Sequence, residues 1–382
     1  MQPRAAWIVS LVIAGCTHAQ PAGPLPARLP RPGPGPAPRV TPLPPAPAPP
    51  TAPAGSPAPR APANAPAPLE FHVQFSDRGD RPGTQGLSAS IALPAGIPVY
   101  RDRVAIVYEW RPDDGREKLQ NPLTGRAWGP IWKDDVAEQL GPANMDRHLD
   151  SLDEWIGVYV PREFTGVVCL DVERFSLRDD AFHLSPAVKA RAQRLFPART
   201  NASLVAEFMR RTEARARALR PNVSAWGWWG MGTVHPGYIL WNAREWEAQK
   251  QHGRRDLRDA LVGTAVPMPV FYFADALPKA DDRAASLREQ IAYWEDLFGR
   301  ERLERQGYAY VNATHAQGPR EGQILTRAEF RECVDAALKS GCRRVVVWAA
   351  IDSVATRDHL RQFVQDAFTP TVLEALRDEA RR

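Results

Sequence analysis

The chain has 382 residues, of which 44% are hydrophobic and 24% charged, with a formal net charge of +5. Residues 1–69 hold five arginines (Arg4, Arg28, Arg31, Arg39, Arg60) and no acid, which leaves the remainder formally neutral. The basic balance therefore belongs to those residues and gives no reason to expect a nucleic-acid-binding domain.

Residues 1–15 carry Arg4 and are apolar from Ala5 onward. This is a signal-peptide pattern, too short to persist as a membrane span. It ends Ile13-Ala14-Gly15-Cys16, which resembles a bacterial lipoprotein cleavage box. The resemblance implies removal of residues 1–15 and a membrane partner through a lipid on Cys16. Thr17 after the cysteine favours the outer membrane of the cell envelope. An ordinary signal sequence with a chance cysteine is the alternative.

Residues 16–69 are expected to form a Pro/Ala-rich disordered linker. Residues 20–69 hold 20 of the 38 prolines and few large apolar side chains, so they cannot bury a core. Such a segment favours an extended spacer. No later segment reaches the apolar length of a membrane span.

Residues 70–382 are expected to be one α/β domain, a distorted TIM-like barrel with about seven parallel strands. The β-type runs are 71–75, 104–109, 166–173, 223–229, 266–273, 308–311 and 344–349. Helical patterns fall between them, over 146–158, 201–219, 284–298 and 327–339. The last is announced by Thr326 with Glu329 three residues on, a capping box, and by Gly341 beyond its end. Long connections at 111–145, 175–200 and 230–265 carry Trp128, Trp132, Trp241 and Trp246. In a parallel barrel such loops surround the active site, where indoles suit sugar rings; the alternative is that they anchor loops.

The most informative stretch is residues 166–173, GVVCLDVE. Residues two apart in a strand share a face, so Asp171 and Glu173 lie together with Val167 and Cys169 behind them. Two close carboxylates at a strand end raise one pKa and keep a proton for acid catalysis. Glycoside hydrolysis is the commonest chemistry with that requirement. The other reading is a solvated strand end paired with Arg174 or Arg178.

Cys169 reads as a small buried residue, and a Cys333–Cys342 disulfide is possible outside the cytoplasm. The cysteine and histidine spacings match no metal pattern, so no metal or cofactor is expected. His148, His183, His235 and His315 read as surface or packing residues. Asp352 reads as the cap of the helix after the last strand, with contact to substrate as the alternative. Asn222 and Asn312 match glycosylation acceptors, though a bacterial lipoprotein gives no reason to use them.

Five segments, taken in order, resemble the eukaryotic-type hyaluronidase family. They are VAIVYE (104–109), FTGVVCLDVE (164–173), AWGWWG (225–230), MPVFYF (268–273) and GCRRVVVWAAIDS (341–353). The resemblance implies a retaining glycoside hydrolase acting on an N-acetylhexosamine-containing, hyaluronan-like polysaccharide. It implies that Glu173 is the general acid and then the base that activates water. Asp171 would orient the substrate's acetamido group, whose own oxygen acts as nucleophile, an exception to the two-carboxylate scheme. Tyr272 would hydrogen-bond near that group and Trp348 would wall its pocket. Trp229, Trp226 and Glu109 are further candidates for substrate contact. Trp229 stands where the family carries a tyrosine, and Arg174-Phe175-Ser176-Leu177 replaces its Trp-Arg-Pro. The alternatives are a non-catalytic glycan-binding barrel, or a barrel hydrolase of another family that uses Glu109.

Overall fold

Short runs rich in Val, Ile and aromatic residues become strands, because branched and flat side chains suit a pleated surface. The computed structural model describes residues 67–77, 86–108, 142–157, 159–171, 201–229, 265–273, 280–315, 320, 322–351 and 353–381. The chain divides into two units, Met1–Arg60 and Ala61–Arg382, and all described residues belong to the second. The strands are β1 (Glu70–Asp77), β2 (Val99–Tyr100), β3 (Val104–Tyr108), β4 (Val167–Asp171), β5 (Ala225–Trp228), β6 (Tyr308–Asn312) and β7 (Arg344–Ile351). The helices are α1 (Pro142–Gly157), α2 (Asn201–Leu219), α3 (Ala280–Phe298), α4 (Arg300–Gln306), α5 (Arg327–Lys339), α6 (Val354–Phe363) and α7 (Thr369–Ala380). A π-helical turn, Val364–Phe368, joins α6 to α7.

Every pairing between these strands is parallel, in the orders β2-β1-β7-β6 and β3-β4-β5. Helices between consecutive parallel strands supply the crossovers such a sheet needs. The segment 266–270 lies between β5 and β6, held by two isolated bridges, Gly227↔Val266 and Val270↔Tyr310. A full strand was expected over 266–273. Pro267 and Pro269 explain the difference, since neither has an N–H to give to a ladder. Their carbonyls still serve: Tyr308 N–H donates to Pro267 O (2.9 Å) and Tyr310 N–H to Pro269 O (2.7 Å). The short strand β2 has no counterpart in the sequence-based reading.

Strand alternation sorts side chains into two layers. Val104, Ile106, Val167, Cys169, Met268, Val270, Tyr272, Tyr310 and Val346 form one cluster, which draws on both sheets. That shared cluster places one face of each sheet against a common interior. The opposite faces, with Phe71, Val73, Val168, Leu170, Trp226, Trp228, Val345 and Val347, pack in a second and larger core that includes helical residues. Burying each such side chain contributes about 1.5–3 kcal/mol, which dominates the stability of the sheet–helix layer. Gly227 lies at the closest approach of β5 to the 266–268 backbone. A Cβ there would stand 2.6 Å from Met268 Sδ and 2.7 Å from Val266 O.

The expected capping box at α5 is present, with Thr326 accepting from Glu329 N–H and the Glu329 carboxylate accepting from Thr326 N–H (2.8 Å). The cap of α6 is Ser353, whose Oγ accepts from Thr356 N–H at 3.1 Å. This corrects the assignment to Asp352; a serine hydroxyl at the adjacent position reaches the free N–H. Cys333 and Cys342 are free thiols, both fully buried, so the possible disulfide is not formed. Burial pushes the Cys342 thiol up to about 12 and the Cys333 thiol further. His148 is a packing residue, buried with its Nε2 2.9 Å from Thr212 Oγ1 across α1 and α2. Among the described residues no helix is long and apolar enough to cross a membrane.

Candidate active site

Parallel sheets of this kind place ligands at the C-terminal ends of their strands. Asp171 is the last residue of β4 and partly buried, in register with Tyr108 at the end of β3. Its side chain faces the interior, as expected, because Val167 and Cys169 on the same side belong to the interior cluster. The electrostatics agree. Burial pushes the Cys169 thiol well above its ordinary range, and the negative charge of Asp171 raises it further. A hydrogen bond between the Cys169 and Tyr310 side chains acts in the opposite direction.

Trp229 follows β5, and its N–H donates to Leu170 O at 2.9 Å, which carries the β4–β5 pairing up to Asp171. Its ring lies 5.8 Å from that of Tyr272, with the planes inclined at 47°. Tyr272 is 7% exposed and belongs to the interior cluster, against which Trp229 and Trp348 also pack. On β7, Trp348 is in register with Gln74 of β1 on one side and Asn312 of β6 on the other. The structure thus brings Asp171, Trp229, Tyr272 and Trp348 to the interior face.

Trp226 is not brought there. It alternates to the other face of β5 and is fully buried in the core between sheet and helices. Its neighbour two residues on, Trp228, packs at 6.1 Å from Phe208 of α2 in the same layer. Glu173 and Glu109 lie outside the described residues, as do His183, His235, Asp352, Cys16 and the three long connections. Asn312 is 2% exposed, and its Oδ1 accepts from Thr314 N–H at 3.2 Å, so this acceptor motif is closed to a glycan. His315 is buried with Nε2 3.5 Å from the Glu329 carboxylate, a packing position. Among the described residues no group of three or more His, Cys, Asp or Glu is placed to hold a metal.

Two features escaped the sequence reading. One is the inward row of polar residues on β1: Glu70, His72 and Gln74, between outward Phe71, Val73 and Phe75. The signal was present as strict alternation, but alternation alone reads as polar-out. The other is a cluster at the N-terminal strand ends. His72 is 2% exposed and sits between the rings of Tyr100 (5.7 Å) and Tyr308 (5.6 Å). Glu70 lies 3.5 Å from His72 Nε2, with Arg103 at 3.9 Å and Arg344 at 4.0 Å. Interaction with His72 is the largest cause of a lowered Glu70 pKa, helped by the charges of Arg344 and Arg103 and opposed by burial. Ion pairs and ring packing thus surround His72 at this end of β1.

Comparison with solved structures places the fold. It is similar to that of bee venom hyaluronidase. The monoclinic crystal structure of that enzyme superposes with a TM-score of 0.52 at 17% identity, over 79% of this chain and 99% of the bee chain. Its complex with a hyaluronic acid tetramer superposes with a TM-score of 0.50 at 15% identity, over 79% of this chain and 98% of the other. No protein-family model matches the sequence, and no curated protein matches it. At such identity the likeness is one of fold, and residue roles rest on their own geometry.

Proposed function

We propose that this chain is a retaining glycoside hydrolase that cleaves an N-acetylhexosamine-containing, hyaluronan-like polysaccharide. The observation that carries the reading is the position of Asp171 at the interior C-terminal end of β4, in a fold similar to a hyaluronidase. The neighbour solved with a hyaluronic acid tetramer supports a polysaccharide as partner. In this reading the strands close into a distorted barrel, with residues 70–382 as its domain. Glu173, two residues beyond Asp171, protonates the leaving oxygen and then activates water. Asp171 orients the acetamido group, whose oxygen attacks the anomeric carbon, and configuration is retained by two inversions. The Tyr272 hydroxyl hydrogen-bonds that group, while Trp348 and Trp229 wall its pocket. The chemistry requires no cofactor.

The same reading extends to the envelope. Residues 1–15 direct export, Cys16 carries the lipid at the outer membrane, and residues 16–69 space the barrel from the surface.

The test is the substitution Glu173→Gln, assayed on hyaluronan, chondroitin and peptidoglycan-type glycans with mass analysis of products. The expected result is a loss of turnover of at least about 100-fold with the thermal midpoint retained. Products with saturated termini mark hydrolysis. A variant that digests every accepted polymer at the wild-type rate removes Glu173 from the mechanism. An equal loss in Glu109→Gln would move the acid to that position.

A further inference from the structure

We infer that Gln74 is a substrate-contacting residue, and that its side-chain amide oxygen accepts a hydrogen bond from an O–H or N–H group of the sugar seated beside Trp348. The inference rests on the glycan-cleaving reading of the site and adds to it a residue from the first strand.

The argument begins with β1. Phe71, Val73 and Phe75 are 0%, 1% and 7% exposed and belong to the outer core, so Gln74 points to the interior. Its register partner is Trp348, and the partner of Trp348 on the far side is Asn312. Partners in a parallel pair share a face, so Gln74, Trp348 and Asn312 form one row across three adjacent strands.

The three side chains differ in what they have left to offer. Asn312 Oδ1 is engaged within the fold, by Thr314 N–H and by Thr314 Oγ1, each at 3.2 Å. Trp348 presents an indole, which offers a stacking face and no acceptor. Gln74 is partly exposed, yet its Oε1 is buried and has no hydrogen-bond partner. Leaving an amide oxygen buried and unpaired costs about 1–3 kcal/mol. The inward neighbour at the far end of the strand, Glu70, meets Arg103, Arg344 and His72 instead. Gln74 thus holds an unpaired acceptor in the same inward row as the Trp348 indole. A sugar ring stacked on Trp348 brings O–H and N–H donors to that row. Pairing with one of them satisfies the oxygen and sets the rotation of the ring, which stacking alone leaves free.

The experiment uses the full chain as wild type, Gln74→Met and Gln74→Leu. Both substitutions keep the volume roughly and remove the acceptor. Hyaluronan tetrasaccharide and N-acetylglucosamine oligomers are titrated while tryptophan fluorescence is followed, and thermal midpoints are recorded. The expected result is about 10-fold weaker binding in both variants, the loss of one hydrogen bond to a neutral partner, with midpoints unchanged or raised. Wild-type affinity in the variants overturns the inference and leaves the hydrolase reading standing. Weaker binding accompanied by midpoints lowered by several degrees also overturns it, because the amide then supports the fold. A wild-type protein that neither binds nor cleaves any of these glycans overturns the hydrolase reading, and the role of Gln74 with it.

Discussion

Trp229 and Tyr272 meet ring to ring across the gap between β5 and the 266–270 segment, with centroids 5.8 Å apart. The contact fixes the Tyr272 ring independently of its hydroxyl. Tyr272→Phe is therefore expected to keep the thermal midpoint within about 2 °C, since the ring packing survives. If the hydroxyl serves substrate, kcat/KM falls about 10–100-fold, the range of one hydrogen bond made in the transition state. Steady-state kinetics beside a melting curve reads both. A large fall in the midpoint with unchanged kinetics would assign the hydroxyl to the fold.

A pH dependence follows from His148. Burial first, and the charge of Arg211 second, lower its pKa from the ordinary 6.5 to about 3. Between those values the unfolded chain binds a proton that the folded chain refuses, so stability rises with pH. The contribution is complete above about pH 6.5 and is lost as pH falls toward 3, at up to about 1.4 kcal/mol per pH unit. Denaturant unfolding at pH 7, 6, 5 and 4 should show this slope, and His148→Gln should flatten it. Equal slopes in the two proteins would assign the acid sensitivity to other groups.

The buried thiols give a chemical test of the core. Cys169, Cys333 and Cys342 are each fully buried and free. A low thiolate fraction and poor access both slow attack on a disulfide reagent. In a Cys16→Ser protein, Ellman's reagent should find almost no thiol under native conditions and three after unfolding in denaturant without reductant. A count of one after unfolding would mean that Cys333 and Cys342 are oxidised in solution.

Gly227 offers a test of the strand connection. The added methyl of Gly227→Ala would meet Val266 O at 2.7 Å, a backbone atom that cannot turn aside. The approach is fixed by Val266 N–H donating to Trp226 O at 2.8 Å. Loss of about 1–3 kcal/mol in denaturant unfolding is expected, the usual range for overpacking. An unchanged unfolding midpoint would show that the 266–270 segment is free to move outward.

The strand at 167–171 was readable in the sequence, because a short apolar run, Val-Val-Cys-Leu, ends in an acid, and the two-residue period of a strand then states which side chains share a face. The capping box at Thr326 and Glu329 was readable for a similar reason, since its partners are three residues apart. The proline-interrupted segment at 266–270 was recognised as β-type, but its two missing donors reduced it to bridges. Trp226 and Trp229 were both candidates from one motif, AWGWWG. Their offset of three residues puts them on opposite faces, and only the packing of α2 against Trp228 shows which face is closed.

Local chemistry was sufficient for most of the strand and helix order, though not for β2, α4 and α7, and for Asp171 and Cys169 sharing a side, because these depend on backbone periodicity and near-neighbour hydrogen bonds. The inward polar row of β1 was decided by the tertiary structure. Alternation is symmetric, and a strand with polar residues at 70, 72 and 74 fits either a wet outer surface or a polar interior. Which one obtains is set by what covers the other face: here α6 and the π-helical turn after it supply Phe363 and Phe368 to the layer that takes Phe71, whose ring lies 6.2 Å from that of Phe368. That apolar burial outweighs the cost of turning Glu70, His72 and Gln74 inward, and it carries Gln74 to the side of Trp348.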